Sequence, residues 1–152
     1  MSGYEVKQAL FQYLRARMPR TTAVLYGREG QDSDKQFVSV AAAQGFWEAS
    51  AFTSPRGGEY EVGWDIAIEV GSPPSMSDPR VSDKVAYELL DEVMAVLRGG
   101  LSDTFGIEGG YATVINGVEE LDTWKDSKED GKTVRVKDGT VLGFRLTVHT
   151  LN

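Results

Sequence analysis

Apolar residues recur along the chain with two periods, and each period predicts an element. Val6, Leu10, Leu14 and Met18 fall at intervals of four with Phe11 and Tyr13 beside them, while Glu5, Gln8, Gln12 and Arg15 take the opposite side. That spacing predicts an amphipathic helix. Ser2 and Glu5 make a capping-box pattern at its start, and Pro19 ends it. A second helix opens at Ser77-Asp78-Pro79, where Asp78 suits the cap and Pro79 the first turn, and closes at Arg98-Gly99-Gly100. Its apolar residues are Val81, Val85, Ala86, Leu89, Leu90, Val93, Met94, Val96 and Leu97. They cover more of the circumference than one sheet contact requires, which predicts burial on two sides, inside the subunit or against a second one.

A period of two marks the strands. Tyr60, Val62, Trp64, Ile66, Ile68 and Val70 alternate with Glu61, Gly63, Asp65, Ala67 and Glu69, the pattern of a long half-buried strand. Further strands are predicted over 22–26, 37–42, 46–53, 111–115, 133–137 and 141–150. Asp138-Gly139 predicts a tight hairpin between the last two, with a bulge at Gly143 to bring Val134 and Val136 onto the face of Leu142 and Phe144. Two polar, charged segments, 27–36 and 122–132, lack either period and are expected to be mobile in the isolated chain. The order of helix, four strands, helix and three strands predicts a single α+β domain over 1–152. Its mostly antiparallel sheet carries the long helix, with the N-terminal helix in addition.

Composition narrows the chemistry. The 152 residues are 41% hydrophobic and 26% charged, enough to bury a core, and 16 basic against 23 acidic residues give a net charge of −7. No apolar run reaches the roughly 18 residues of a membrane helix, and the first residues lack a signal layout, so a cytoplasmic chain with no membrane partner is expected. Cysteine is absent and His149 is the only histidine, which excludes thiolate chemistry and cysteine or multi-histidine metal sites. Glu59, Glu61, Asp65 and Glu69 read as the solvated face of a strand. The carboxylates Asp122, Asp126, Glu129 and Asp130 are interleaved with Lys125, Lys128 and Lys132 and match no calcium loop. His149 reads as a cross-strand or interfacial residue. No catalytic, cofactor-binding or metal residues are therefore expected. The first helix is locally basic through Lys7, Arg15, Arg17 and Arg20, while the remainder is acidic, which suits a head-to-tail contact between identical subunits better than DNA binding.

A short first helix ending at Pro19, a strand set, a long internal helix over 81–98 and a final unit with the strand Gly143-Phe144-Arg145-Leu146-Thr147-Val148 resemble the tail-terminator, or tail-completion, proteins of long-tailed bacteriophages. The local match is Glu129-Asp130-Gly131-Lys132. The chain differs in its second turn, Asp138-Gly139, and in a longer charged insert over 122–132. The resemblance implies a non-enzymatic virion protein, made in the host cytoplasm, that forms a homohexameric ring capping the tail tube. Its implied partners are its own copies, the tail tube protein and the head-tail connector or neck protein, with DNA passing through the lumen without specific binding. Contacts with a subunit or the tube are expected at Lys7, Arg15, Arg17, Arg28, Lys35, Trp124, Lys125, Lys128 and Lys132. Trp124 leads, because aromatic anchors dominate interfaces. Two alternatives stay open: another tail or neck ring protein, such as a tube subunit or connector, and a small α+β ligand-binding domain or enzyme.

Overall fold

The computed structural model describes residues 2–27, 34–49, 60–121 and 123–151, with backbone alone at 47–49, 60–62, 114–116, 124, 125, 127, 135–137, 150 and 151. Helix α1 (Gly3–Arg17) begins where the capping pattern places it, the Ser2 hydroxyl accepting the Glu5 N–H at 3.3 Å. Val6, Leu10 and Leu14 are fully buried, and the Met18 N–H closes the last turn on the Leu14 carbonyl. Helix α2 (Pro79–Gly100) opens on Asp78, whose carboxylate accepts the Arg80 N–H at 3.0 Å. Its buried stripe is Ser82, Ala86, Leu89, Leu90, Val93 and Leu97. Val85, Met94 and Val96 flank that stripe half-buried, and Val81 lies open at 46% exposure, so within the subunit one side is covered rather than two.

The strands are β1 (Thr22–Tyr26), β2 (Gln36–Ala49), β3 (Tyr60–Gly71), β4 (Gly110–Leu121), β5 (Trp124–Glu129), β6 (Lys132–Lys137) and β7 (Val141–Leu151). Five form one sheet in the order β1-β2-β3-β7-β4, antiparallel at every pairing except the parallel β1–β2 edge. This is the predicted α+β architecture. Both helices lie on one face, against Val38, Val40, Ile66, Ile68, Val70, Leu142, Phe144, Leu146 and Val148. Alternation alone generates that layer, since every second residue of β3 and β7 is a large apolar one.

Four expectations are corrected. Three strands, not four, lie between the helices, because β2 runs unbroken where 37–42 and 46–53 were read as two; positions 50–53 are outside the described residues. The alternation breaks because the register shifts between Val40 and Ala42, which puts Ala43 on the core side after Val38 and Val40, and because Gly45 follows on that side. The Trp64 ring lies against Gly45 and Gly3, filling the space that larger side chains would take. The 122–132 segment is not a loop over most of its length, for 124–129 is β5, paired with β6. The tight turn is Asp130-Gly131, with φ of 50° and 74°, the paired positive values a two-residue hairpin demands. Asp138-Gly139 joins no hairpin. Val141 pairs with Leu121 and Gly71 instead, and Gly143 keeps regular register with Glu69; the irregularity lies across from it in β4, where the register shifts between Ile115 and Glu119. Gly139 turns the chain at φ 76° against Ser72 and Pro73, where an added Cβ would meet Ser72 Oγ at 2.9 Å.

Candidate interaction surfaces

The ribbon made by β5 and β6 follows the last β4–β7 pair, Leu121 with Val141, and forms a two-stranded sheet of its own. Its root is well tied. The Asp138 N–H donates to the Thr123 carbonyl at 3.0 Å, and the Thr123 hydroxyl donates to the Gly139 carbonyl at 3.0 Å. One residue further, the Thr140 N–H donates to Ser72 Oγ at 2.9 Å while the Ser72 N–H donates to the Thr140 carbonyl at 2.9 Å. The Thr140 hydroxyl donates to Asp83 Oδ1 and lies 2.8 Å from the Ser82 hydroxyl, so a buried polar cluster fastens the arm to the start of α2. Beyond the root the ribbon packs extensively on no other described element.

Trp124, Lys125, Lys128 and Lys132, named from sequence, all belong to this ribbon, and Lys128 and Lys132 are exposed. The side chains of Trp124 and Lys125 lie outside the described residues, as does Arg28 entirely. Lys35 is exposed just before β2, where Gln36 Nε2 donates to Thr22 Oγ1 at 2.8 Å. The basic residues of α1 do not form one patch. Lys7 turns toward β1, its Nζ 4.4 Å from the Tyr26 ring centre and 3.4 Å from the Ala41 carbonyl. Arg17 stacks at 3.7 Å on Tyr13, whose hydroxyl donates to Val96 of α2 at 2.9 Å. Arg15 lies 6.0 Å from the Phe11 ring. These cations spend part of their charge on their own aromatic neighbours.

On the sheet face away from the helices His149 is the cross-strand residue the sequence suggests, but the aromatic row it belongs to was missed. His149 stacks on Tyr111 with ring centres 4.5 Å apart and meets the edge of Phe46 at 5.8 Å, a row that crosses the sheet where Gly63 leaves room for the Phe46 ring. Tyr111 is 53% exposed. The signal was available in the alternation of β7, which places His149 with Arg145 and Thr147 opposite the core. Beside the row, the Thr147 hydroxyl donates to Asp65 Oδ1 at 2.7 Å. An open depression of about 370 Å³ follows, lined by Glu69, Glu119, Leu121, Gly143 and Arg145. Trp64 pairs with Val148 on the opposite face, so Trp64 and His149 do not converge on a shared pocket. Among the described residues no three acidic or histidine side chains gather as a metal site needs, and no helix is long and apolar enough to cross a membrane. At the other margin of α2, the Tyr87 hydroxyl donates to Glu120 Oε1 at 2.9 Å. That bond raises the phenol above its ordinary value, with partial burial and the charges of Glu120 and Asp83 adding to it.

Compared with known proteins, the chain matches no family model and no curated relative.

Proposed function

We propose that the chain is a non-enzymatic structural subunit of a phage virion, a tail-terminator-like protein. On this reading it assembles as a homohexameric ring on the end of the tail tube and offers the surface to which the head-tail connector docks. The observation that carries the reading is the aromatic row Phe46–His149–Tyr111 on a sheet face that neither helix covers. Aromatic rings left on an open face mark contact surfaces rather than solvated ones. Asp65, Glu69 and Glu119 share that face with Arg145. The acidic balance of the chain suits a lumen that repels DNA and lets it pass, and a ring with a predominantly basic lumen would contradict this part.

The test is removal of the chain from the virus that encodes it, followed by electron microscopy of the tails. A terminator's loss gives tails of irregular length that join no heads. Tails of normal length that still join heads would end the proposal. Copy number per particle separates a terminator, present about once per ring position, from a tube subunit repeated along the tail.

A further inference from the structure

The β5–β6 ribbon is an arm without a bed. Six register pairs hold it, from Trp124 opposite Lys137 to Glu129 opposite Lys132, and among the described residues nothing else pairs with either strand. Every side chain described on it is exposed, Val134 at 38% among them. A lone two-stranded hairpin is marginally stable in water, so a ribbon of this length is ordered chiefly by what lies against it. Its charge says what that is. Between 124 and 137 five basic residues face three acidic ones, a net of +2 in a chain of −7, which leaves −9 for the rest.

The body carries a matching margin. Tyr87 and Asp91 are exposed one turn apart on α2, and Tyr87 is bonded to Glu120 of β4, which has no neighbour on its outer side among the described residues; the exposed Glu119 stands on the other face of that same edge, within reach of a segment laid along it. We propose that the ribbon is a clasp that lies against this acidic α2–β4 margin, Tyr87 with Asp91, Glu119 and Glu120, of a second copy of the chain. The contact is heterologous: arm meets margin, and each copy keeps a free arm and a free margin for the next. The inference rests on the ring reading for its occupant and names the contact between neighbours.

Charge exchange tests it. K128E/K132E reverses the described cations of the arm, and D91K/E119K reverses the margin without touching the Tyr87–Glu120 bond. All four side chains are exposed, so both variants are expected to keep the parent's thermal unfolding. In sedimentation velocity at low salt, up to millimolar protein, the parent self-associates and each variant does so at least about tenfold more weakly. An equimolar mixture recovers association with the two variants alternating, and 0.5 M salt weakens the parent. A parent that stays monomeric throughout, an arm variant that associates as the parent does, or a mixture that recovers nothing overturns the clasp. Should either double variant unfold, the single substitutions K132E and E119K carry the same mixing test. Rings that persist with K128E/K132E would remove the clasp and leave the ring reading standing. Tails of normal length without the protein would remove the ring reading while the mixing result still judges the arm.

Discussion

Thr140→Val isolates the hydroxyl at the root of the arm. The side chain is 2% exposed, and valine keeps its shape while deleting the donor to Asp83 Oδ1 and the contact with Ser82. Ser82 retains a bond to the Pro79 carbonyl at 3.3 Å, so it is not left without a partner. The backbone exchange between Ser72 and Thr140 is unaffected, because it uses the main chain of Thr140. What is lost is one hydrogen bond to a carboxylate, worth about 1.5–3 kcal/mol, in a site too tight for water to replace it freely. Urea unfolding at pH 7 should therefore show a loss of about 2 kcal/mol with an unchanged m value, and Tm should fall by about 4–8 °C for a chain of this size. Thr133→Val, at an exposed ribbon position, serves as the control and should stay within about 0.5 kcal/mol. A loss at Thr140 no larger than that of the control would refute the view that this cluster fastens the ribbon to α2.

Leu10→Ala, at a fully buried position of α1 against the sheet, should cost about 2–5 kcal/mol in the same assay, the range for a leucine cavity that collapses only in part. Tyr87 should titrate above ordinary tyrosine, which the 295 nm difference between parent and Tyr87→Phe reads directly; Glu120→Gln should move that titration back down. Because the folded chain favours the neutral phenol, this contribution is full well below pH 10, where an ordinary tyrosine is half ionised, and disappears as pH rises through the raised value. A difference titration at or below the ordinary value would contradict the Tyr87–Glu120 bond. In the isolated chain, amides of β5 and β6 should exchange with deuterium orders of magnitude faster than those of β3 and β7, and equal protection would show that the ribbon needs no partner.

Periodicity reveals the parts of this fold that bury one face, and little else. β3 and β7 were legible because Ile66, Ile68, Leu142, Phe144 and Leu146 alternate with polar or small residues against a single helical layer. The caps at Ser2 and Asp78 were legible because a cap is a local bond. Of the ribbon, β6 was legible as the strand over 133–137, but β5 was not, since its described side chains are exposed and impose no hydrophobic alternation. Two Asp-Gly pairs stood in the final third, and local chemistry could not choose between them. The choice is made by Leu121, which claims Val141 from twenty positions away and leaves Asp130-Gly131 as the hairpin. The polar character of the candidate surface was therefore visible, while its shape, an arm on a fastened root, was not.

The position of β7 in the sheet also sets an order of events. It lies between β3 and β4, joining Gly71 to Val141 and Glu61 to Leu151, so its ladder with β3 spans 70 to 90 positions of chain. The β2–β3 pairing closes over a short span and needs nothing from β7. Until β7 arrives, β3 has one neighbour and β4 has none, and the apolar layer under both helices is half built. A chain wired this way folds slowly for its size, because the loop entropy of the central ladder is spent before its contacts form. During that delay the inner edge of β3 is bare and apolar, an adhesive surface for strands of other copies. Synthesis at lower temperature should therefore raise the yield of correctly folded protein more than any substitution on the surface of the finished fold.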